Sequence, residues 1–421
     1  PDVDWENPEA SEKITEDAIW WQKEFDLDGS RIDAVKHVES LAISNLVSKF
    51  DLYLENDLTD YYLLGETAMG WNGDNLEDNI EEYEKINTYL GEGGLDGQGD
   101  FVLYHAVVDN VFRYEVKDFQ HLDYWTEQSQ NNYVEGSIMT PYLGSHDTSR
   151  LISRLDDSEN NSDNKWVEDE LPQQPIGVES YQKAKLAFSW LLTIPGAPII
   201  YMGDEYGEFG GSDPDNRHTF RSGNQLSNYE KDLLSFVTNV SKIRKNSQDL
   251  REGYYRSIYS DSTLICFARV SENSETIVII NSGTEQREIE LNVGLEASYS
   301  DYYDLINNKN VTEESGELIF NSEANNISIF SSYNNETGDI NQTEIGNQDN
   351  ETIDEGLNDV VGKDNESTEL NQTIPDEEET QSQSNSSDKS DGGNGLPTFR
   401  FILFLTLLIL ISTFYYTRGF S

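Results

Sequence analysis

The chain has 421 residues, of which 36% are hydrophobic and 11% aromatic, and a formal net charge of -52 at pH 7. That length holds two or three domains, and the charge repels nucleic acid and anionic membrane surfaces, which excludes them as partners of the folded part. With a single cysteine, Cys266, no intrachain disulfide forms, and few lysines among many dispersed acids resemble a protein surface adapted to high salt, the plainer alternative being an acidic secreted protein.

Residues 1–225 read as short apolar strands alternating with helices. The strands are expected at Gly29–Ile32, Tyr61–Leu64, Phe101–Tyr104, Ile138–Leu143 and Ile199–Met202. Helical patterns lie between them, as in "SYQKAKLAFSWLLTI". Such repetition predicts a parallel sheet with helices outside it, either part of a β/α barrel or an open sheet. A helix over Tyr229–Lys245 follows, with Leu233, Phe236, Val237, Val240 and Ile243 on one face. From Gly253 to Tyr333 the period shortens. Runs such as "STLICFARV", "ETIVIINS", "REIELNV" and "NISIFSS" predict a small antiparallel β domain, with Cys266 as a core thiol.

The remainder has a different composition. Residues 336–395 carry 17 acids against 2 bases and almost no aromatics, too little apolar surface to fold. N-x-S/T sequons at Asn335, Asn341, Asn350, Asn365, Asn371 and Asn385 suggest a glycosylated exported stalk, or else an unmodified linker. Residues 401–416 carry no charge, and Tyr415, Tyr416 and Arg418 follow or close the run. The stretch approaches the ~20 residues that span a bilayer. It reads as a membrane anchor that holds the rest of the protein outside the cell. The expected organisation is thus a partial barrel over 1–248, a β sandwich over 249–333, an acidic linker over 334–396 and a transmembrane helix over 397–418.

Carboxylates fall at the expected strand ends. Asp33 closes the first strand in "DGSRIDAVKHV", Glu66 the second in "YYLLGETAMG", and Asp147 follows the fourth in "TPYLGSHDTSR". In a β/α barrel the C-terminal strand ends form the active site, so three such acids converge. Paired carboxylates cleave glycosidic bonds, one attacking or activating water and one protonating the leaving oxygen; a third stabilises the cationic transition state. Arg31, on the same strand face as Asp33, keeps that carboxylate ionised, and His146 can hydrogen-bond sugar hydroxyls. Trp71, in a Gly-flanked loop after Glu66, is a candidate stacking platform for sugar, as are Trp20 and Trp21; Trp190 reads as core. Loop 156–170 is expected to be a solvated insertion.

"DGSRIDAVKHV", "GET" and "GSHDTSR" resemble, in that order, three signature regions of the α-amylase family of glycoside hydrolases. "PDVDWENPEA" looks like the segment before that family's fourth barrel strand, and "IPGAPIIYMGDEYGEFGGSDPDNRHTFR" like its last strand and following loop. The resemblance covers residues 1 to about 333. It implies a TIM-type (β/α) barrel lacking its first three strands, followed by a β sandwich. It implies Asp33 as nucleophile, Glu66 as general acid/base and Asp147 as transition-state stabiliser. Arg31 and His146 would support the cleavage subsite, and Lys36 and His37 would line the leaving-group side. No cofactor is implied for the chemistry; a structural calcium would use the backbone carbonyl of His37, with its other ligands outside this sequence. Asp204 and Glu205 are implied to be structural, and Asp213, Asp215 and Arg217 to brace the last loop. Ser145 stands where the family usually has Asn. The implied substrate is an α-glucan polysaccharide or oligosaccharide, and an N-terminal fragment, upstream or in a partner, would complete the barrel. The alternatives are an α-glucosidase or transglycosylase of the same family, or a non-catalytic surface glucan-binding protein.

Overall fold

A computed structural model describes residues 3–55, 61–156, 161–272, 274–292, 301–306, 309–312 and 317–333, all within one compact unit. The expected stalk at 334–396 and anchor at 397–418 lie outside the described residues. Among the described residues, no helix is long and apolar enough to cross a membrane.

The chain opens with α1 (Pro8–Phe25), started by the Asn7 side chain accepting the Glu9 N–H and by Pro8 in the first turn. Gln22 on its buried face reaches Ser30 of β1 (Gly29–Ile32), and Ser30 meets the Tyr61 hydroxyl. There follow α2 (Ser40–Leu54), β2 (Tyr62–Gly65), α3 (Ile80–Asn87), β3 (Gly97–Gln98), α4 (Phe101–Val107), α5 (Phe119–Asn132), α6 (Leu151–Leu155), α7 (Glu179–Leu191), α8 (Asn228–Asn246) and α9 (Gln248–Glu252). β1 pairs in parallel with β2, from Gly29 opposite Tyr62 to Ile32 opposite Gly65, and β2 pairs in parallel with β3. Parallel bridges Gly99–Thr140 and Tyr142–Ile199 carry the pairing across two more segments. Five parallel segments therefore lie side by side in sequence order.

One expected strand is wrong. Phe101–Tyr104 is helical, the start of α4, and the third strand is Gly97–Gln98 just before it. Asp100 decides this by accepting the Leu103 N–H and capping the helix. The run "FVLYHAV" is buried almost all round, and such a run carries no period that separates strand from helix. Gly97 marks the true strand: a Cβ there would stand 1.9 Å from the Ile138 carbonyl oxygen.

The β domain contains β4 (Tyr254–Ser260), β5 (Leu264–Val270), β6 (Glu275–Asn281), β7 (Arg287–Asn292), β8 (Asp301–Asp304), β9 (Lys309–Thr312), β10 (Glu317–Ser322) and β11 (Asn326–Tyr333). Six form an antiparallel sheet in the order β4-β5-β6-β11-β8-β9, and β7 pairs with β10 as a ribbon. Leu264, Cys266 and Ala268 cluster with Ile289, Leu291 and Leu318 of the ribbon, while Ile265 and Phe267 join the barrel core. A strand buried on both faces explains the unbroken apolar run of β5. The Cys266 thiol is fully buried and pushed up by that burial, as a core group should be.

The two parts are riveted by polar groups. Asp123 on α5 accepts hydrogen bonds from Tyr255 (2.6 Å), Ser257 (2.7 Å) and Ser260 (2.7 Å) of β4. Arg269 of β5 donates to the Thr193 carbonyl (2.7 Å) and to Gly253.

Candidate active site

The site grows from the ends of β1 and β2. Parallel pairing continues past both strands: Glu66 N–H donates to Ile32 O (3.0 Å) and Val35 N–H to Glu66 O (2.8 Å). Between them Ala34 adopts φ 49°, a left-handed conformation costing about 1–2 kcal/mol for a residue with a Cβ. The turn aims the Ala34 N–H at Glu66 Oε2 (3.1 Å) and presents Asp33 beside Glu66. Arg31, mostly buried, reaches forward on the same face. Its Nη1 donates to Asp33 Oδ1 (2.9 Å) and its Nη2 meets Glu66 Oε1 (2.9 Å).

One guanidinium thus bridges the two carboxyls. Their environments push them apart. The hydrogen bond from Glu66 holds the Asp33 carboxyl below the usual carboxylate range, with help from Arg31 and from His146. Burial, and then the bond to Asp33, raises Glu66. Asp33 is thereby biased toward its ionised form and Glu66 toward its protonated form. The influence of His146 on Asp33 also ties the turn after the fourth segment to the ends of the first two.

Asp147 sits in the turn after the fourth parallel segment. Ser145 Oγ accepts the Asp147 N–H (3.2 Å), and Thr148 Oγ1 accepts the Ser145 N–H (2.9 Å). His146 Nε2 lies 3.2 Å from Asp147 Oδ2, and Arg217 Nη2 lies 4.0 Å from Oδ1. The expected bracing by Asp213 and Arg217 is present: Arg217 Nε donates to Asp213 Oδ1 (2.5 Å).

Other candidate residues separate. Lys36 Nζ donates to Ala68 O (2.6 Å), tying the turn after β1 to the turn after β2. His37 is exposed on the single helical turn Val35–His37. Among the described residues, no group of three or more His, Cys, Asp or Glu side chains is arranged to hold a metal, so a calcium at the His37 carbonyl gains no such shell here. The half-buried Trp71 ring packs edge-on against His121 (5.7 Å) and Trp125 (6.0 Å). Trp20 and Trp21 lie beside Phe25 near the end of α1, where the chain enters β1, the opposite end of that strand from Asp33. Trp190 is fully buried, with Nε1 donating to Thr126 (2.9 Å). Of the expected loop 156–170, the part over 161–170 is docked as well as solvated: Asp163 accepts from Ser149 Oγ (2.6 Å) and Arg113 Nη2 (2.9 Å). Asp204 is buried beneath Arg150, 3.2 Å from Nη1, and burial pushes its carboxyl up to about 6. Arg150 closes the motif "GSHDTSR", yet its part in building the site shows only in the fold.

The family of the α-amylase catalytic domain matches residues 1–251. The chain belongs to the α-amylase family. Relatives include the β/α-amylase of Paenibacillus polymyxa (27% identical over 67% of this chain and 20% of the relative) and the cyclomaltodextrinase of Thermoanaerobacter pseudethanolicus (24%, over 69% and 44%). The maltogenic α-amylase of Bacillus acidopullulyticus is 24% identical over 78% of this chain and 49% of the relative. The chain therefore spans between a fifth and a half of these proteins. In fold it resembles the α-amylase of Geobacillus thermoleovorans solved with acarbose (TM-score 0.63, 22% identity, 80% of this chain and 66% of that one). An Anoxybacillus α-amylase is equally similar (TM-score 0.63, 23% identity, 79% and 64%). This fold accommodates the five parallel segments, the helices between them and the β domain that follows.

Proposed function

We propose that the chain carries the catalytic centre of a retaining α-glucan hydrolase that cleaves α-1,4-glucosidic bonds of starch, glycogen or maltooligosaccharides. The Arg31 bridge, with Asp33 lowered and Glu66 raised, supports this reading most directly. Asp33 Oδ1 and Glu66 Oε1 each lie 2.9 Å from the same guanidinium, so the two carboxyls stand side by side. That favours double displacement over inversion, which needs about 6.5–9.5 Å.

Asp33 attacks the anomeric carbon as Glu66 donates its proton to the departing glycosidic oxygen. A covalent glycosyl ester forms on Asp33. Glu66, now ionised, takes a proton from water, and the hydroxide oxygen displaces Asp33 with net retention. Asp147 opposes the positive charge that develops on the sugar ring, and His146 donates to its hydroxyls. The relatives named cyclomaltodextrinase and maltogenic amylase favour cyclic or short maltooligosaccharides among the substrates. Among the described residues, β1 and the segment at Ile199 each pair on one side only. Further strands, upstream or in a partner, complete the barrel in this reading.

The sequons and the uncharged stretch 401–416 support an enzyme tethered outside the cell by a single span. Protease treatment of intact cells would release the catalytic part; its protection until lysis would refute the tether. The catalytic proposal is tested by covalent trapping on native membranes with a fluorinated α-glucosyl fluoride, followed by peptide mass spectrometry. Label on the peptide containing Asp33 is expected. An abundant, unlabelled protein beside a labelled control amylase would favour a glucan-binding surface protein instead.

A further inference from the structure

Asn216 lies on the loop after the last parallel segment, in the run "DPDNR", and is fully buried. Its side-chain Nδ2 donates two hydrogen bonds of 2.8 Å, one to His146 O and one to Thr148 O. These carbonyls flank Asp147 on either side. Both amide protons of Asn216 are thus spent on the peptide groups that decide where the Asp147 carboxylate stands.

That carboxylate has little else to hold it. It is exposed, its contact with Arg217 is 4.0 Å, and His146, its nearer partner, is itself carried on the same turn. No helix or strand covers residues 144–148. Besides Asn216, the turn is held by Ser145 Oγ beneath the Asp147 N–H, by the hydrogen bonds between Thr148 and Ser145, and by Arg217 Nη2 on His146 O (3.2 Å). A return strap runs the other way. Arg150, three residues after Asp147, donates from Nε to Asn216 O (2.8 Å) and from Nη1 to Met202 O (2.6 Å). Its guanidinium lies 4.1 Å over the Tyr201 ring. Asn216 and Arg150 therefore latch the Asp147 turn to the last loop from both sides.

Simple packing explains Asn216 poorly. Among the described residues, its Oδ1 is buried without a hydrogen-bond partner, a cost that an apolar side chain of similar size would avoid. Only a two-handed donor can hold both carbonyls, which Leu and Asp cannot do. We infer that Asn216 is a positioning residue for Asp147, fixing the peptide that carries the transition-state carboxylate; this rests on the hydrolase reading above.

The test measures kcat and KM on a maltooligosaccharide for Asn216→Ala and Asn216→Ser, each alone and combined with Asp147→Asn, using the full chain in its native membranes. Backbone amide exchange of residues 145–149 and the melting temperature are followed in parallel. Asn216→Ala should lower kcat by about 10²-fold, the scale of a misplacement near 1 Å, with KM within twofold. Asn216→Ser, which keeps one donor, should fall between. In the Asp147→Asn background the same change should cost less than twofold, because the group being positioned is gone. Amide exchange should quicken at 145–149 alone. An undiminished kcat, or an equal fold-loss with and without Asp147, would overturn the inference, and Asn216→Ser decides if the alanine variant fails to fold. A wild-type protein that neither turns over nor labels at Asp33 would remove the hydrolase reading and this role together, whereas an active wild type indifferent to Asn216 removes only this role.

Discussion

At the scale of single residues, Arg31 does more than its place in a strand suggests. It contacts both carboxyls, so it lowers both, yet burial still leaves Glu66 raised. Asp33 should set the acid limb of kcat/KM, below the ordinary carboxylate value, and Glu66 the alkaline limb, above its own. Arg31→Met removes a cation that favours both ionised forms. Both limbs should then move to higher pH, with kcat down by at least tenfold; limbs that stay in place or move down would refute the assignment. Glu66→Gln should cost about 10²–10⁴ in kcat on a maltooligosaccharide and leave glucan binding and melting temperature unchanged. Label should still accumulate on Asp33 from an α-glucosyl fluoride, whose leaving group needs no proton. Wild-type-like turnover by this variant would remove Glu66 from the mechanism. Ser145, where the family usually has Asn, is a mild departure, because its hydroxyl accepts the Asp147 N–H as an Asn oxygen would in an Asx turn.

At the scale of elements, the third parallel strand is two residues long and depends on glycine. Gly97 lets the Ile138 backbone approach until a Cβ would overlap its carbonyl oxygen, and the Tyr62 hydroxyl lies 2.4 Å from the same point. Gly97→Ala must force the neighbouring segments apart, which should cost about 1–3 kcal/mol in urea unfolding. The displaced segment leads into the turn with Asp147, so kcat should fall as well. An alanine variant as stable as wild type would mean that the strand pairing there is looser than described. The adjacent α4 teaches the converse lesson: Asp100 starts a helix in a run whose side chains alone fit a strand equally well.

At the scale of the whole molecule, 80 acidic residues face only 28 Lys and Arg, so basic side chains are too few to pair with the acids one to one. Self-repulsion weakens as the Debye length falls from about 10 Å at 0.1 M salt to about 3 Å at 1 M. Melting temperature should therefore rise by several degrees between 0.1 and 3 M KCl, and one indifferent to salt would defeat the high-salt reading. The seam between barrel and β domain should resist this repulsion, since Asp123 is buried under three hydroxyls and Arg269 is buried against backbone carbonyls. The order in which the two parts melt, followed by calorimetry, should be a single transition.

The sequence by itself determined that Asp33 and Glu66 stand at strand ends, because a strand and the acid that follows it are consecutive in the chain. It determined β5, β6, β7 and β11 for the same reason, since their apolar runs are local. It did not reveal β4, β8, β9 or β10, which are short or half polar, nor that Phe101–Tyr104 turns into a helix. Only the tertiary structure decided that Trp71 packs edge-on against His121 and Trp125, that Asp204 lies beneath Arg150, and that Asn216 holds the turn of Asp147. Each of those outcomes depends on partners tens of residues away, and distance in sequence carries no trace of which polar group will be buried against which carbonyl.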